Sequence, residues 1–147
     1  NIVSIAACKG TTFGLKDDGT IISAGSDNYG YTWRNIAAIC CGTYDLVGLR
    51  SDGTVVATGS SDHWDKNTLE RWNDIVQISA SSTHIVGVDS DGRVVACGRE
   101  NAAEACDVKH WRDVTQVAAG MYFTIGLKAD GTILSTGENS YHQCDLG

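Results

Sequence analysis

Proline is absent from the 147 residues, phenylalanine occurs twice and methionine once. Without proline no turn is pre-set by a pyrrolidine ring, so turns fall to the 17 glycines and to Asp and Asn. No apolar run is long enough to cross a bilayer as a helix, and the first residues do not read as a signal. Basic residues are scarce: 11 Lys and Arg against 18 Asp and Glu give a net charge of −7. Surfaces that grip nucleic-acid phosphates or anionic lipid need clustered Lys and Arg, so neither nucleic acid nor membrane is expected as a partner. No Cys-x-x-Cys spacing is present, nor a nucleophile elbow, a phosphate loop or a His-Glu-x-x-His motif. Accordingly no catalytic residue, no cofactor and no metal ion is assigned. The opening residue is Asn1 rather than Met, which reads as a processed chain or a piece of a longer one.

What is present is repetition. Asp-Gly recurs at Asp18-Gly19, Asp52-Gly53, Asp91-Gly92 and Asp130-Gly131, in steps of 34, 39 and 39 residues. Each pair follows a Gly-Leu or Gly-Val step (Gly14-Leu15, Gly48-Leu49, Gly87-Val88, Gly126-Leu127), and another glycine closes the unit at Gly25, Gly59, Gly98 and Gly137. Trp33, Trp72 and Trp111 keep the 39-residue beat. A period of this size marks a repeat architecture. The units read as repeat 1 over 1–34, repeat 2 over 35–72, repeat 3 over 73–111 and repeat 4 over 112–147.

Each unit reads as three strands. The first carries large apolar residues three apart (Ile2/Ile5, Ile36/Ile39, Ile75/Ile78, Val114/Val117), which on a regular strand places them on opposite faces and implies cover on both sides. The second has a glycine at its centre, best explained by close approach of a neighbouring group. The third is β-branched and follows the Asp-Gly turn at once. Connectors from the closing glycine to the tryptophan differ in length, as surface loops do. Sheets covered on both faces and repeated about every forty residues are what an all-β propeller supplies; a two-sheet sandwich leaves the four like units unexplained. The recurring tryptophans are expected to wedge between blades.

The six cysteines fall at unrelated repeat positions, except Cys106 and Cys144, which sit a full repeat apart. They are expected to be mostly buried thiols rather than a disulfide framework.

The combination Val117-Ala118-Ala119-Gly120, Gly126-Leu127, Asp130-Gly131, Gly137-x-Asn139 and Gln143-Cys144 resembles the RCC1-like (regulator of chromosome condensation) propeller repeat, echoed by Ile39-Cys40-Cys41-Gly42, Gly48-Leu49 and Asp52-Gly53. The resemblance spans essentially the whole chain. It departs where the family's aromatic before the closing glycine is Ala24, Thr58, Cys97 or Thr136, and where the family's second-strand histidine survives only as His84. Both departures suggest a divergent, bacterial-type branch. The resemblance implies a ring of about seven blades, so four repeats are expected to be completed by remaining blades, by self-association, or by closing alone. An open slice would expose two apolar faces.

If sameness marks framework, difference marks recognition. The candidate partner-binding residues are Tyr29, Tyr31, Tyr44, His63, Trp64, Tyr122, Tyr141 and His142, all outside the repeat pattern. Asp62, His63 and Asp65 are read as a solvated loop, and Ser81 with His84 as no triad. The leading reading is a non-catalytic protein-binding scaffold, not an enzyme. The alternative is a lectin-like propeller in which Tyr29, Tyr31, Trp64 and Tyr141 stack on sugars. Two narrower versions follow from the resemblance alone: a β-lactamase-inhibitor-like protein or an exchange factor for a small GTPase.

Overall fold

A computed structural model describes residues 1–26, 32–58 and 64–146. Among these residues twelve strands form four three-stranded antiparallel sheets. Blade 1 is β1 (Ile2–Cys8), β2 (Thr11–Lys16) and β3 (Ile21–Gly25); blade 2 is β4 (Ile36–Cys41), β5 (Leu46–Arg50) and β6 (Val55–Ala57). Blade 3 is β7 (Ile75–Ala80), β8 (His84–Asp89) and β9 (Val94–Gly98); blade 4 is β10 (Val114–Ala119), β11 (Phe123–Lys128) and β12 (Ile133–Gly137). The connector after blade 2 holds a one-turn helix α1 (Lys66–Leu69), and the connector after blade 3 a 3-10 turn at Glu100–Ala102.

The Asp-Gly turns close the second hairpin of each blade. Their glycines take φ of 74° to 86°, which side chains resist. In three of them the aspartate braces the turn by accepting the N–H two residues on, at Thr20 (2.9 Å), Thr54 (3.0 Å) and Thr132 (3.0 Å). Blade 3 has Arg93 there; its N–H turns to Asp89 instead, at 2.8 Å.

The first strand of every blade differs from its sequence expectation. The pairing register shifts between Ile2 and Ser4, Ile36 and Ala38, Ile75 and Gln77, and Val114 and Gln116. A bulge adds one residue to the alternation, so positions three apart land on the same face instead of opposite ones. Ile36 and Ile39 therefore enter one core cluster, Ile75 and Ile78 the next, and Val114 and Val117 the third.

Each cluster is a junction between consecutive blades. We call the side of a blade toward the following blade its leading face and the other its trailing face. Phe13, Leu15 and Ile21 on the leading face of blade 1 pack against Ile36, Ile39 and Leu46. Val47, Leu49 and Val55 of blade 2 pack against Ile75, Ile78 and Ile85, with Trp64, Leu69 and Trp72 between them. Val86, Val88 and Val94 of blade 3 pack against Val114 and Val117, with Val108 from the connector. Each buried aliphatic contributes about 1.5–3 kcal/mol, so these junctions hold the array together.

The tryptophans lie in the junctions, and the central glycines make room for them. A Cβ on Gly48 would come within 3.0 Å of the Trp33 ring, one on Gly87 within 3.3 Å of Trp72, and one on Gly126 within 2.7 Å of Trp111. Gly14, the equivalent in blade 1, meets Ile2 and Ile22 instead.

The array is open at both ends. The trailing face of blade 1 leaves Ile2 46%, Ile5 75% and Ile22 46% exposed, whereas its counterparts Ile36 and Ile39 are 4% and 9% exposed. The leading face of blade 4 leaves Leu127 38% and Ile133 47% exposed. The four blades do not close on themselves. Among the described residues all six cysteines are free thiols; only Cys97 is buried, and the others are half-buried, which corrects the expectation of mostly buried thiols.

Candidate functional site

In a three-stranded meander the first turn and the chain leaving the third strand emerge on the same edge of the blade. Backbone hydrogen bonds tie them together: Ser26 N–H to Gly10 O (3.2 Å), Arg99 N–H to Thr83 O (2.9 Å) and Glu138 N–H to Tyr122 O (2.9 Å). The closing glycine permits this approach, because a Cβ on Gly137 would stand 2.3 Å from the Tyr122 carbonyl oxygen. In blades 1, 3 and 4 the first turn and the start of the connector thus share one edge, the upper rim, with the Asp-Gly turns on the opposite edge.

Along this rim Lys9 of the first turn places its ammonium 4.5 Å from the centre of the Tyr44 ring, a cation–π contact joining the turns of blades 1 and 2. At blade 4, Tyr122 lines a groove of about 330 Å³ together with Glu100, Asn101, Glu104 and Glu138. Three of the chain's four glutamates meet there, and no cation lines the groove. Those carboxylates were not singled out from the sequence; the visible signal was that nearly all the glutamate falls in two successive connectors.

The connector after blade 4 is braced by its own side chains. Asn139 Nδ2 donates to Asp145 (2.7 Å), Asn139 Oδ1 accepts Cys144 N–H (2.8 Å), and Gln143 Nε2 donates to Glu138 O (2.7 Å). His142 stands 2.8 Å from Asp145. Hydrogen bonds from Asn139 and then His142 hold the Asp145 carboxyl below its ordinary range. This frame projects Tyr141, which is 86% exposed.

The candidate residues do not converge on one spot. Tyr44, Tyr122, Tyr141 and His142 are spread along the rim; Tyr29, Tyr31 and His63 lie outside the described residues. Trp64 is a correction: it is 5% exposed, in the junction of blades 2 and 3 beside Leu69 and Trp72. The longer second connector folds back into the junction, so its off-beat tryptophan is core. Asp65 caps α1 by accepting Asn67 N–H (3.0 Å) and the Thr68 hydroxyl (2.6 Å).

Ser81 and His84 do meet, with Ser81 Oγ 3.1 Å from His84 Nδ1. His84 is fully buried, and its Nε2 lies 2.7 Å from Thr124 Oγ1 of blade 4. The Thr124 hydroxyl donates its one proton to Ala105 O (2.7 Å), so Nε2 carries the proton and Thr124 accepts it. Thr83 Oγ1 donates to Met121 O, leaving Ser81 as the donor to Nδ1. The protons on His84 Nε2 and Thr83 Oγ1 join blade 3 to blade 4, while the Ser81 proton holds the ring within blade 3. Burial pulls the His84 pKa down to about 4, so the ring is neutral near pH 7. The group is a structural clamp with no carboxylate to orient it as a catalytic base. Burial likewise pushes the thiols of Cys40 and Cys97 up to about 12.

No curated protein matches the chain. A family model described as the Regulator of chromosome condensation (RCC1) repeat matches residues 75–102 and 114–143. Among solved structures, Prp20p of Saccharomyces cerevisiae is 16% identical with a TM-score of 0.76, covering 100% of this chain and 48% of its own. The same yeast protein in its Kap60 complex gives 17% identity, a TM-score of 0.77, and 100% and 46% coverage. The ectodomain of the receptor kinase CR4 of Physcomitrella patens is 20% identical with a TM-score of 0.76, covering 92% of this chain and 40% of its own. The chain therefore spans about half the length of the solved structures it matches. The family model thus matches blades 3 and 4, blades 1 and 2 repeat their three-stranded form, and the likeness to the solved structures shows an RCC1-like β-propeller fold across the four blades.

Proposed function

We propose that the chain is a non-catalytic protein-recognition scaffold that meets its partner along the upper rim. The observation that carries this reading is the division between repeating strands, whose side chains fill the blade junctions, and non-repeating rim residues such as Tyr44, Met121, Tyr122 and Tyr141, which stay exposed or half-exposed. Tyr and Met are enriched where proteins meet, and a braced loop such as that of Tyr141 loses little freedom on binding. The Tyr122 groove, with Glu100, Glu104 and Glu138, suits a cationic segment of the partner. Prp20p, whose structures are described through binding to Gsp1p and histones and through its Kap60 complex, supports protein binding as the class of activity. The two narrower versions, nucleotide exchange on a small GTPase and β-lactamase inhibition, rest on the family resemblance alone.

An array of short basic, neutral and acidic peptides tests the reading. Basic peptides should be retained, and the combined Glu100→Gln, Glu104→Gln and Glu138→Gln variant should weaken that retention by roughly tenfold or more. Equal retention of all three classes would remove the groove from the interface. The lectin-like alternative rests on the 86% exposure of Tyr141; a glycan-array signal that disappears in Tyr141→Ala would favour it over protein recognition.

A further inference from the structure

The junction of blades 3 and 4 is bridged by side chains of blade 3 that bond the backbone of blade 4. The Gln77 carboxamide accepts Val117 N–H at 2.9 Å and donates to Val117 O at 3.1 Å, gripping the innermost strand of the next blade by its backbone. Two residues on, Ser79 Oγ accepts Ala119 N–H at 3.0 Å. The residues at the Gln77 position are Ser4, Ala38, Gln77 and Gln116, so blade 4 repeats the device. Gln116 lies on its leading face, exposed, in an apolar groove lined by Ala118, Ile125, Leu127 and Ile133. The counterparts of the three aliphatics in blade 3, Val86, Val88 and Val94, are 0%, 1% and 4% exposed because blade 4 covers them.

What fits this face is set by what fits the other three: a bulged strand with aliphatics three apart and an outward backbone N–H and C=O. The trailing face of blade 1 has these features. Ile2 and Ile5 are exposed, and Ile5 pairs with Gly14 as Val117 pairs with Gly126, so its N–H and C=O point to the same open side. Any other occupant would have to reproduce this surface; a second copy of the chain already has it.

We propose that the leading face of blade 4 binds the trailing face of blade 1 of a second copy, head to tail, with the Gln116 carboxamide bridging the backbone N–H and C=O of Ile5. The contact is heterologous, so it continues until the array closes into a ring or runs on as a filament. It is independent of what the rim binds.

Sedimentation of the full chain over a concentration series, with two surface substitutions, tests this. Ile5 and Leu127 are exposed, so Ile5→Asp and Leu127→Asp should fold, as unchanged melting curves would verify. The unaltered chain should show a mass above one chain that rises with concentration. Each variant alone should stay a single chain, because one face of every contact is spoiled. Mixed together they should form a two-chain complex and no more, since each keeps the face the other lost. Gln116→Ala should weaken association by roughly tenfold, the effect of losing two backbone hydrogen bonds. A single chain at every concentration overturns the proposal. Association of either variant alone, or none in the mixture, overturns it as well.

Discussion

Trp111 Cζ3 stands 2.7 Å from where a Cβ on Gly126 would be. The two residues are 15 apart, as are Trp72 and Gly87, and Trp33 and Gly48. Alanine in a strand ordinarily gains up to about 1 kcal/mol over glycine. Here it should lose, and in a graded way. Gly126→Ala should destabilise most, Gly48→Ala (3.0 Å) less and Gly87→Ala (3.3 Å) least, within the roughly 1–3 kcal/mol of overpacked cores. Urea midpoints would show the order; three equal costs, or any gain, would mean the indoles are not wedged against these strands.

His84 predicts a pH dependence. Its pKa is about 4 in the folded chain against 6.5 ordinarily, so the unfolded chain binds the extra proton first. The stability it contributes is complete above pH 6.5 and declines as pH falls from 6.5 toward 4, by about 3 kcal/mol in all. Asp18, Asp52 and Asp130 do not confuse this window, because hydrogen bonds from Thr20, Thr54 and Thr132 hold their carboxyls below 3.8. Denaturant unfolding at pH 7 and pH 4.5 should differ markedly in the parent chain and much less in His84→Gln; an equal slope in both would assign the effect elsewhere.

Thr124→Val removes the hydroxyl that serves both His84 Nε2 and Ala105 O. Two buried polar groups then lose their partner, at a cost of about 2–4 kcal/mol. Adding His84→Phe removes one orphan, so the double variant should fall short of the sum of the single costs. Strict additivity would show that the two side chains do not communicate across the junction.

Trp64 and Tyr141 separate core from rim. Trp64→Ala should cost about 3–5 kcal/mol by opening a cavity between blades 2 and 3, while Tyr141→Ala should leave the melting temperature within experimental scatter. A costly Tyr141→Ala would mean its ring packs somewhere in solution.

The beat of Asp-Gly, central glycine and tryptophan is visible in the sequence because turn geometry and close approach demand the same residue in every blade. The face assignment of Ile75 and Ile78 was not visible: alternation tells faces apart only on a regular strand, and a bulge leaves no residue signature. Trp64 was misplaced because variability was equated with exposure, yet a connector of variable length can still fold into a junction. The Ser81–His84–Thr124 clamp and the Gln77 bridge join residues about forty apart, and a single sequence does not pair them. Gln116 was legible only once Gln77 had shown what a glutamine at that position does.

Amide hydrogen exchange at Val117 and Ile5, measured in the Leu127→Asp variant so that copies stay apart, tests most directly whether blades stack face to face in chain order with blade 1 left open. The Val117 N–H should be protected through Gln77 and become fast in Gln77→Ala, while the Ile5 N–H, at the same register with no preceding blade, should already be fast. Equal exchange at both positions in the presence of Gln77 would contradict the stacked, open array.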